Sequence, residues 1–340
     1  MRPKKKASMK DIAEKVGLSV NTVSQALSKK PGVNSQTRER ILETAKLLGY
    51  EYETPLRSIL NGAKSGTVGL IITDNSNPFF AQVVKGAQNT LWQNGYSMIL
   101  CNTNEDYARE SGAIQTLLEK KVDGVIITPT QSGDEAISLF EESGVPVVLM
   151  GRHFLNRRIP NVLCNDAGGA FKATEHLLRL GHTRILFINA PAYISSARER
   201  QEGYLDAIKQ NGFEADPSLI RVCEPNMESV YNEMKSIMLE KLYFTAIFTY
   251  NDLMMLGVIR LFQEAGVSVP DDYSLVGFDD IDFVSLLKPS LTTVCIDKYG
   301  MGAKSAEVLL SLIQGRKLQS EMLVMPTKLM VRGSTEKCHA

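Results

Sequence analysis

Apolar positions in the first fifty residues fall into three short helical stripes. Ser8 is followed three positions later by Asp11, a capping-box pair, and Ile12, Ala13 and Val16 then share one helical face before Gly17. Ser19 to Ser28 carries a second stripe in Val23, Ala26 and Leu27. Asn34 is placed to cap a third segment, with Ile41, Ala45 and Leu48 at helical spacing before Gly49. Three helices with a tight glycine turn between the first two predict a helix-turn-helix over residues 1–52. The pattern then breaks. Thr54-Pro55 opens and Asn61-Gly62 closes a segment long enough for one or two helical turns within a linker at 53–65. So short a helix is marginal unless something packs on it.

From Thr67 onward the period switches between strand and helix. Val68–Thr73, Tyr96–Cys101, Gly124–Thr128 and Val145–Met150 read as strands, with helices running through Trp92 to Gly95 and at 108–120 and 134–143. The alternation restarts with strands Arg184–Asn189, 219–223, Ala246–Thr249 and Ser274–Gly277 between helices 167–180, 196–211, 228–241 and 252–265. Such alternation predicts parallel sheets with right-handed crossovers. The expected fold is therefore an all-α head joined to an α/β core of two doubly wound parallel-sheet lobes spanning 66–335, with ligand bound between the lobes at the carboxyl ends of their strands. Trp92 is expected in the core, and His182 is expected to meet the last carbonyls of the helix before it.

Composition narrows the class. The net charge is zero, yet residues 1–50 hold eleven Lys/Arg against four Asp/Glu, so a head of +7 sits on a body of −7. That asymmetry fits a nucleic-acid-binding module on a larger sensor. No stretch approaches the ~18 consecutive apolar residues of a membrane helix, and the basic start lacks an apolar export segment, so the cytoplasm is expected. The five cysteines and four histidines are scattered without disulfide or ligand spacing, so no metal or cofactor is expected.

The second helix carries the candidate chemistry of the head. Val20, Asn21 and Gln25 project opposite its apolar stripe, where amide side chains can bond adenine edges bidentately and a valine can meet a thymine methyl. Hydroxyls of Ser19, Thr22 and Ser24, with Arg38 and the N-terminal lysines, suit phosphates. In the core, Asp74, Asn75, Arg152, Asn251 and Asp279 follow strand ends, Ser196 and Arg200 open a helix, and Phe79 or Phe80 can wall a sugar or base. Acid, amide and guanidinium groups beside an aromatic suit a polyhydroxylated ligand. No nucleophile elbow, phosphate loop or dinucleotide fingerprint occurs, and the adjacent Asp279-Asp280 make a poor acid/base dyad.

The run Met9-Lys10-Asp11-Ile12-Ala13-Glu14-Lys15-Val16-Gly17-Leu18-Ser19-Val20-Asn21-Thr22-Val23-Ser24-Gln25-Ala26-Leu27, followed by Val33-Asn34-Ser35-Gln36-Thr37-Arg38, closely resembles the head of the lactose-repressor/galactose-repressor family. The resemblance continues through Asn77-Pro78-Phe79-Phe80, Leu180-Gly181-His182-Thr183-Arg184-Ile185, Arg200-Gln201-Glu202-Gly203-Tyr204, Asn251-Asp252 and Val276-Gly277-Phe278-Asp279-Asp280 to about residue 333. It implies base contacts by Val20, Asn21 and Gln25. It also implies a hinge helix that orders on DNA and inserts Leu60 into the minor groove; Arg57, which the family pattern does not supply, can enter a narrowed minor groove, contact phosphate or face solvent. A periplasmic-binding-protein-like core, a homodimer on a pseudo-palindromic operator, and a small effector, a sugar or derivative, complete the expectation. Pro289-Ser290-Leu291-Thr292-Thr293-Val294 is where the chain is expected to recross to the first lobe. Arg57 stands where the family has a small residue, and Asn165-Asp166 inverts the usual acid–amide order. The rivals are a solute-binding protein and a sugar-processing enzyme sharing the core.

Overall fold

The structure, a computed structural model, describes residues 7–27, 32–48, 50 and 64–338. Arg57 and Leu60 lie outside the described residues. The chain forms two compact units, Met1–Ser65 and Gly66–Ala340.

In the first unit, helices α1 (Met9–Val16), α2 (Val20–Leu27) and α3 (Ser35–Leu47) enclose Ile12, Ala13, Val16, Val23, Ala26, Leu27, Ile41 and Ala45. The capping box forms: Asp11 Oδ2 accepts from the Ser8 N–H at 2.7 Å and Ser8 Oγ from the Asp11 N–H at 3.4 Å. Gly17, at φ 68°, closes α1 in the left-handed conformation that spares glycine a Cβ clash. Asn34 caps α3 by accepting from Thr37 N–H at 2.7 Å. Leu48 follows as the cap residue and packs at the edge of the cluster.

The second unit consists of two lobes. The first sheet has the order β11-β5-β4-β3-β1-β2, from strands β1 (Thr67–Ile72), β2 (Ser97–Asn102), β3 (Gly124–Ile127), β4 (Val147–Met150), β5 (Asn161–Cys164) and β11 (Met322–Met325). The second has the order β12-β10-β9-β8-β6-β7, from β6 (Ile185–Asn189), β7 (Ile220–Val222), β8 (Ala246–Thr249), β9 (Ser274–Asp279), β10 (Thr292–Ile296) and β12 (Thr327–Met330). Strands such as β3, β4, β6 and β8 are buried throughout, because helices cover both faces, and so read as unbroken apolar runs. The described pairings are parallel except that β12 runs antiparallel on β10, which qualifies the all-parallel expectation.

Helices α4 (Pro78–Gln93), α5 (Tyr107–Glu119), α6 (Glu135–Ser143) and α11 (Lys298–Ile313) serve the first lobe; α7 (Asp166–Arg179), α8 (Ser195–Gln210), α9 (Met227–Glu240) and α10 (Asp252–Ala265) serve the second. Both lobes contain helix pairs in backbone contact at glycine. A Cβ on Gly302 would stand 1.9 Å from the Val83 carbonyl oxygen, one on Gly86 2.0 Å from that of Tyr299, and one on Gly203 2.0 Å from that of Ala167.

The chain changes lobe three times: between β5 and α7, between β10 and α11, and between β11 and β12. The segment at 289–294 is therefore not the recrossing expected. Its residues from Thr292 belong to β10, which pairs with β9 inside the second lobe, and the passage comes after Ile296. The tail stays with the second lobe as far as Cys338, whose N–H donates to the Leu180 carbonyl at 2.8 Å.

Of two further expectations, one is corrected and one holds through the backbone. Trp92 is 77% exposed, because the buried stripe of α4 runs through Val83, Ala87 and Leu91 and position 92 falls off it. His182 does meet the last carbonyls of its helix, its backbone N–H donating to the Leu177 carbonyl at 3.1 Å, while its buried ring pairs elsewhere, Nδ1 with Thr245 Oγ1 at 2.9 Å and Nε2 with the Glu336 carbonyl at 3.0 Å.

Candidate functional site

On the head, Val20 and Asn21 are exposed in the first turn of α2, with Val20 at 46%, while Thr22, Ser24 and Gln25 are half-buried along the same helix. Ser19 plays a local part: its Oγ accepts from Thr22 N–H at 3.1 Å and lies 2.8 Å from Thr22 Oγ1, satisfying the helix end. Arg38 is half-buried on α3.

In the core, a cleft of about 740 Å³ opens between the lobes at the carboxyl ends of both sets of strands. All nine residues singled out in the core, Asp74, Asn75, Phe79, Phe80, Arg152, Ser196, Arg200, Asn251 and Asp279, lie on its wall. Phe79 and Phe80 meet edge to face with ring centroids 5.1 Å apart. Phe80 belongs to a large buried cluster drawn from both lobes, and Phe79 packs against that cluster and a second one within the second lobe. Asn75 N–H donates to Asn102 Oδ1 at 2.8 Å, and Asp74 Oδ1 accepts from Ser76 N–H and Oγ at 2.8 and 2.6 Å, holding the loop after β1. Asn251 caps α10, accepting from Met254 N–H at 2.9 Å.

Both cleft arginines are tied to acids. Arg152 forks onto Glu105, Nη1 to Oε2 at 2.8 Å and Nη2 to Oε1 at 2.7 Å. Arg200 donates from Nε to Asp166 Oδ1 at 2.7 Å and from Nη1 to the Tyr250 carbonyl, and its Nη2 lies 3.8 Å from Asp279 Oδ1. Its guanidinium is stacked on the rings of Tyr250 and Phe278, with its carbon 4.4 and 3.7 Å from the centroids. The inverted Asn165-Asp166 pair divides its labour: Asn165 Oδ1 caps α7 at Gly168 N–H, 2.9 Å, and Asp166 holds Arg200. Asp279 and Asp280 turn apart, Asp279 toward Arg200 and Asp280 to a 2.7 Å bond with Arg332. Direct bonds also join the lobes: His153 N–H donates to Ser195 Oγ at 3.0 Å and Ser195 N–H to Gln131 Oε1 at 2.8 Å.

The wall also contains Glu105, Tyr193, Glu224 and Tyr250, which were not singled out. Each lies in the loop just beyond a strand's carboxyl end (β2, β6, β7 and β8), so the rule that found Asp74 and Arg152 reaches them too. Among the described residues no cluster of three or more metal-ligating side chains occurs, and no helix is long and apolar enough to cross a membrane.

Three carboxyls, Glu110, Glu199 and Asp279, are each pushed up to about 7, with burial the largest cause. Glu110 is buried beneath the loop after β3, its Oε2 accepting from Thr130 N–H at 2.7 Å and its Oε1 without a hydrogen-bond partner. A carboxyl so raised keeps its proton in the folded core where the unfolded chain has lost it. Its stabilisation is full below the ordinary value of 4.5 and is lost as pH rises through about 7. The core is thus expected to melt lower at pH 8 than at pH 5.5. Glu110→Gln should remove part of that difference, about 2 kcal/mol at most by linkage between these two pH values. Thermal melts of both proteins at the two pH values check this, and a wild-type chain more stable at pH 8 would sink it.

A helical head with an exposed polar face and a two-lobed core with an interlobe cleft are the two parts of a ligand-responsive regulator, and the comparisons with known proteins agree. Residues 8–52 match the bacterial regulatory proteins of the lacI family, and residues 65–332 match the periplasmic binding proteins and sugar binding domain of the LacI family. The chain belongs to the LacI family and is a DNA-binding transcriptional regulator. It is 32% identical over 329 residues to the ribose operon repressor of Halalkalibacterium halodurans, covering 97% of each chain. It is 30% identical over 332 residues to the HTH-type transcriptional repressor PurR of Photobacterium profundum, covering 97% of this chain and 99% of that one. The lac repressor dimer bound to operator and the anti-inducer ONPF has a TM-score of 0.76 to it at 26% identity, over 98% of this chain and 100% of the other.

Proposed function

We propose that this protein is a cytoplasmic repressor, without turnover of its own, whose hold on a pseudo-palindromic operator is set by a sugar or sugar derivative in the interlobe cleft. The observation that carries the reading is the convergence of acid, amide, guanidinium and aromatic groups from both lobes on one cleft, in a chain that also carries the helical head. Two heads of a homodimer read the half-sites through Val20, Asn21 and Gln25, with Ser19, Thr22, Ser24 and Arg38 at phosphates. Arg57 and Leu60 act at the minor groove. Asp74, Asn75, Phe79, Phe80, Arg152, Ser196, Arg200, Asn251 and Asp279 hold the effector. Ligand that binds one lobe arrangement better than the other shifts the core toward it and so alters the spacing of the heads.

The test is selection from randomised duplexes with and without a panel of sugars and nucleobases. An enriched palindrome whose recovery changes with one sugar is expected, and Val20→Ala should relax preference at a single T·A position, a discrimination of roughly 1 kcal/mol. Retention of all duplexes alike, lost with modest salt, would reduce the head to a phosphate binder. Response to a nucleobase alone would displace the sugar.

A further inference from the structure

Neither guanidinium of the cleft is left open to an incoming anion. Arg152 spends both Nη1 hydrogens and one of Nη2 on Glu105 and the Pro129 carbonyl, the latter at 2.9 Å. Arg200 is enclosed by Asp166, Asp279 and the Tyr250 carbonyl. Against these two cations the wall carries four carboxyl side chains, Asp74, Glu105, Glu224 and Asp279. A phosphate or carboxylate entering here finds its natural forked seat occupied and meets unmatched acids, and such like-charge juxtaposition is how sites reject a wrong ligand. A hydroxyl fares differently. Each Glu105 oxygen takes one bond from Arg152 and keeps a further lone pair, which a hydroxyl can meet as donor and an anion cannot. Glu105 is held for this task by its backbone: φ is 56°, left-handed for a non-glycine residue, and its N–H donates to the Thr73 carbonyl at 3.1 Å.

We propose that Glu105 selects effectors by charge: it sits as a built-in anion in the bidentate seat on Arg152 and restricts the cleft to uncharged, hydroxyl-rich ligands. The inference rests on the cleft being the effector site. It is tested by calorimetric titration of the full chain with two neutral and anionic pairs, ribose with ribose 5-phosphate and glucose with glucuronate. In at least one pair the neutral member should bind the wild-type chain more tightly by about tenfold or more. Glu105→Gln should shift that ratio about tenfold toward the anion. An anionic member that binds the wild-type chain as well as its neutral partner overturns the proposal while leaving the cleft as the effector site. An unchanged ratio in a Glu105→Gln chain that melts like wild type overturns it equally. Should that variant fail to fold, the wild-type ratios alone decide. Failure of all four probes to bind folded wild-type protein overturns the effector-cleft reading, and this proposal with it.

Discussion

Arg200→Met is expected to abolish the effector response and to lower the unfolding free energy of the core by about 3–5 kcal/mol, the usual cost of breaking a buried ion pair from one side. Methionine fills the space over the Tyr250 and Phe278 rings, so loss of volume contributes little. What it leaves behind is charge: Asp166 and Asp279 remain buried with their shared cation gone. Burial raises Asp279 to about 7, and Arg200 and Lys298 are what hold it down. Without Arg200 that carboxyl rises further, and a raised carboxyl withdraws its support as pH increases. The variant's deficit should therefore be larger at pH 8 than at pH 5.5. Urea unfolding at the two pH values tests the sign; equal deficits, or a deficit below about 1 kcal/mol, would show that Arg200 does not neutralise the pair. Arg200→Lys keeps the charge but not the planar stack or the divided hydrogen bonds, and should fall between the two.

Gly302→Ala and Gly112→Ala are expected to move stability in opposite directions. At Gly302 the added carbon would stand 1.9 Å from the Val83 carbonyl oxygen and 2.9 Å from the Ala87 nitrogen, both backbone atoms of α4 that no rotamer change can clear. The helices must separate, at about 3 kcal/mol or more, the upper end of overpacking costs. At Gly112, within α5, an added carbon meets nothing within 4 Å. There alanine should stabilise by about 0.5–1 kcal/mol through the unfolded chain and helix propensity. Denaturation of the pair separates close packing from a generic glycine effect: a mild Gly302→Ala would mean that the α4–α11 contact yields easily.

The contrast between what periodicity reveals and what it hides follows the distances over which residues interact. Ser8 with Asp11 and Asn34 with Thr37 are three positions apart, so the head's helix starts were legible. The cleft residues were legible for a topological reason: in a parallel sheet the strand ends converge whatever the side chains do there. Their pairing was not. Arg152 and Glu105 are 47 residues apart, Arg200 and Asp166 are 34, and only the folded lobes bring them together. His182 shows the same limit, since one of its partners is Glu336. Strands β11 and β12 escape the alternation because they are four residues long and partly exposed edges. Helix α11 carries a readable stripe at Met301, Ala306, Leu309 and Leu310, but nothing local tells which lobe receives it. Trp92 misleads because bulk alone suggests burial while its helical phase points outward.

The interleaved crossings have a consequence for synthesis. The first lobe begins at Thr67, yet its helix α11 and its edge strand β11 come from residues 298–313 and 322–325. A nascent chain that has emerged as far as Ile296 already holds β6 to β10 and all four helices of the second lobe, but the face of α4 that receives Gly302 is still bare. The lobe translated first must thus wait for residues 298–325, and the second lobe then adds only its own edge strand β12 and the tail. On the ribosome the first lobe's unfilled face is the surface that chaperones will find, and a truncation that spares the cleft's nine residues still leaves that lobe unable to close its core.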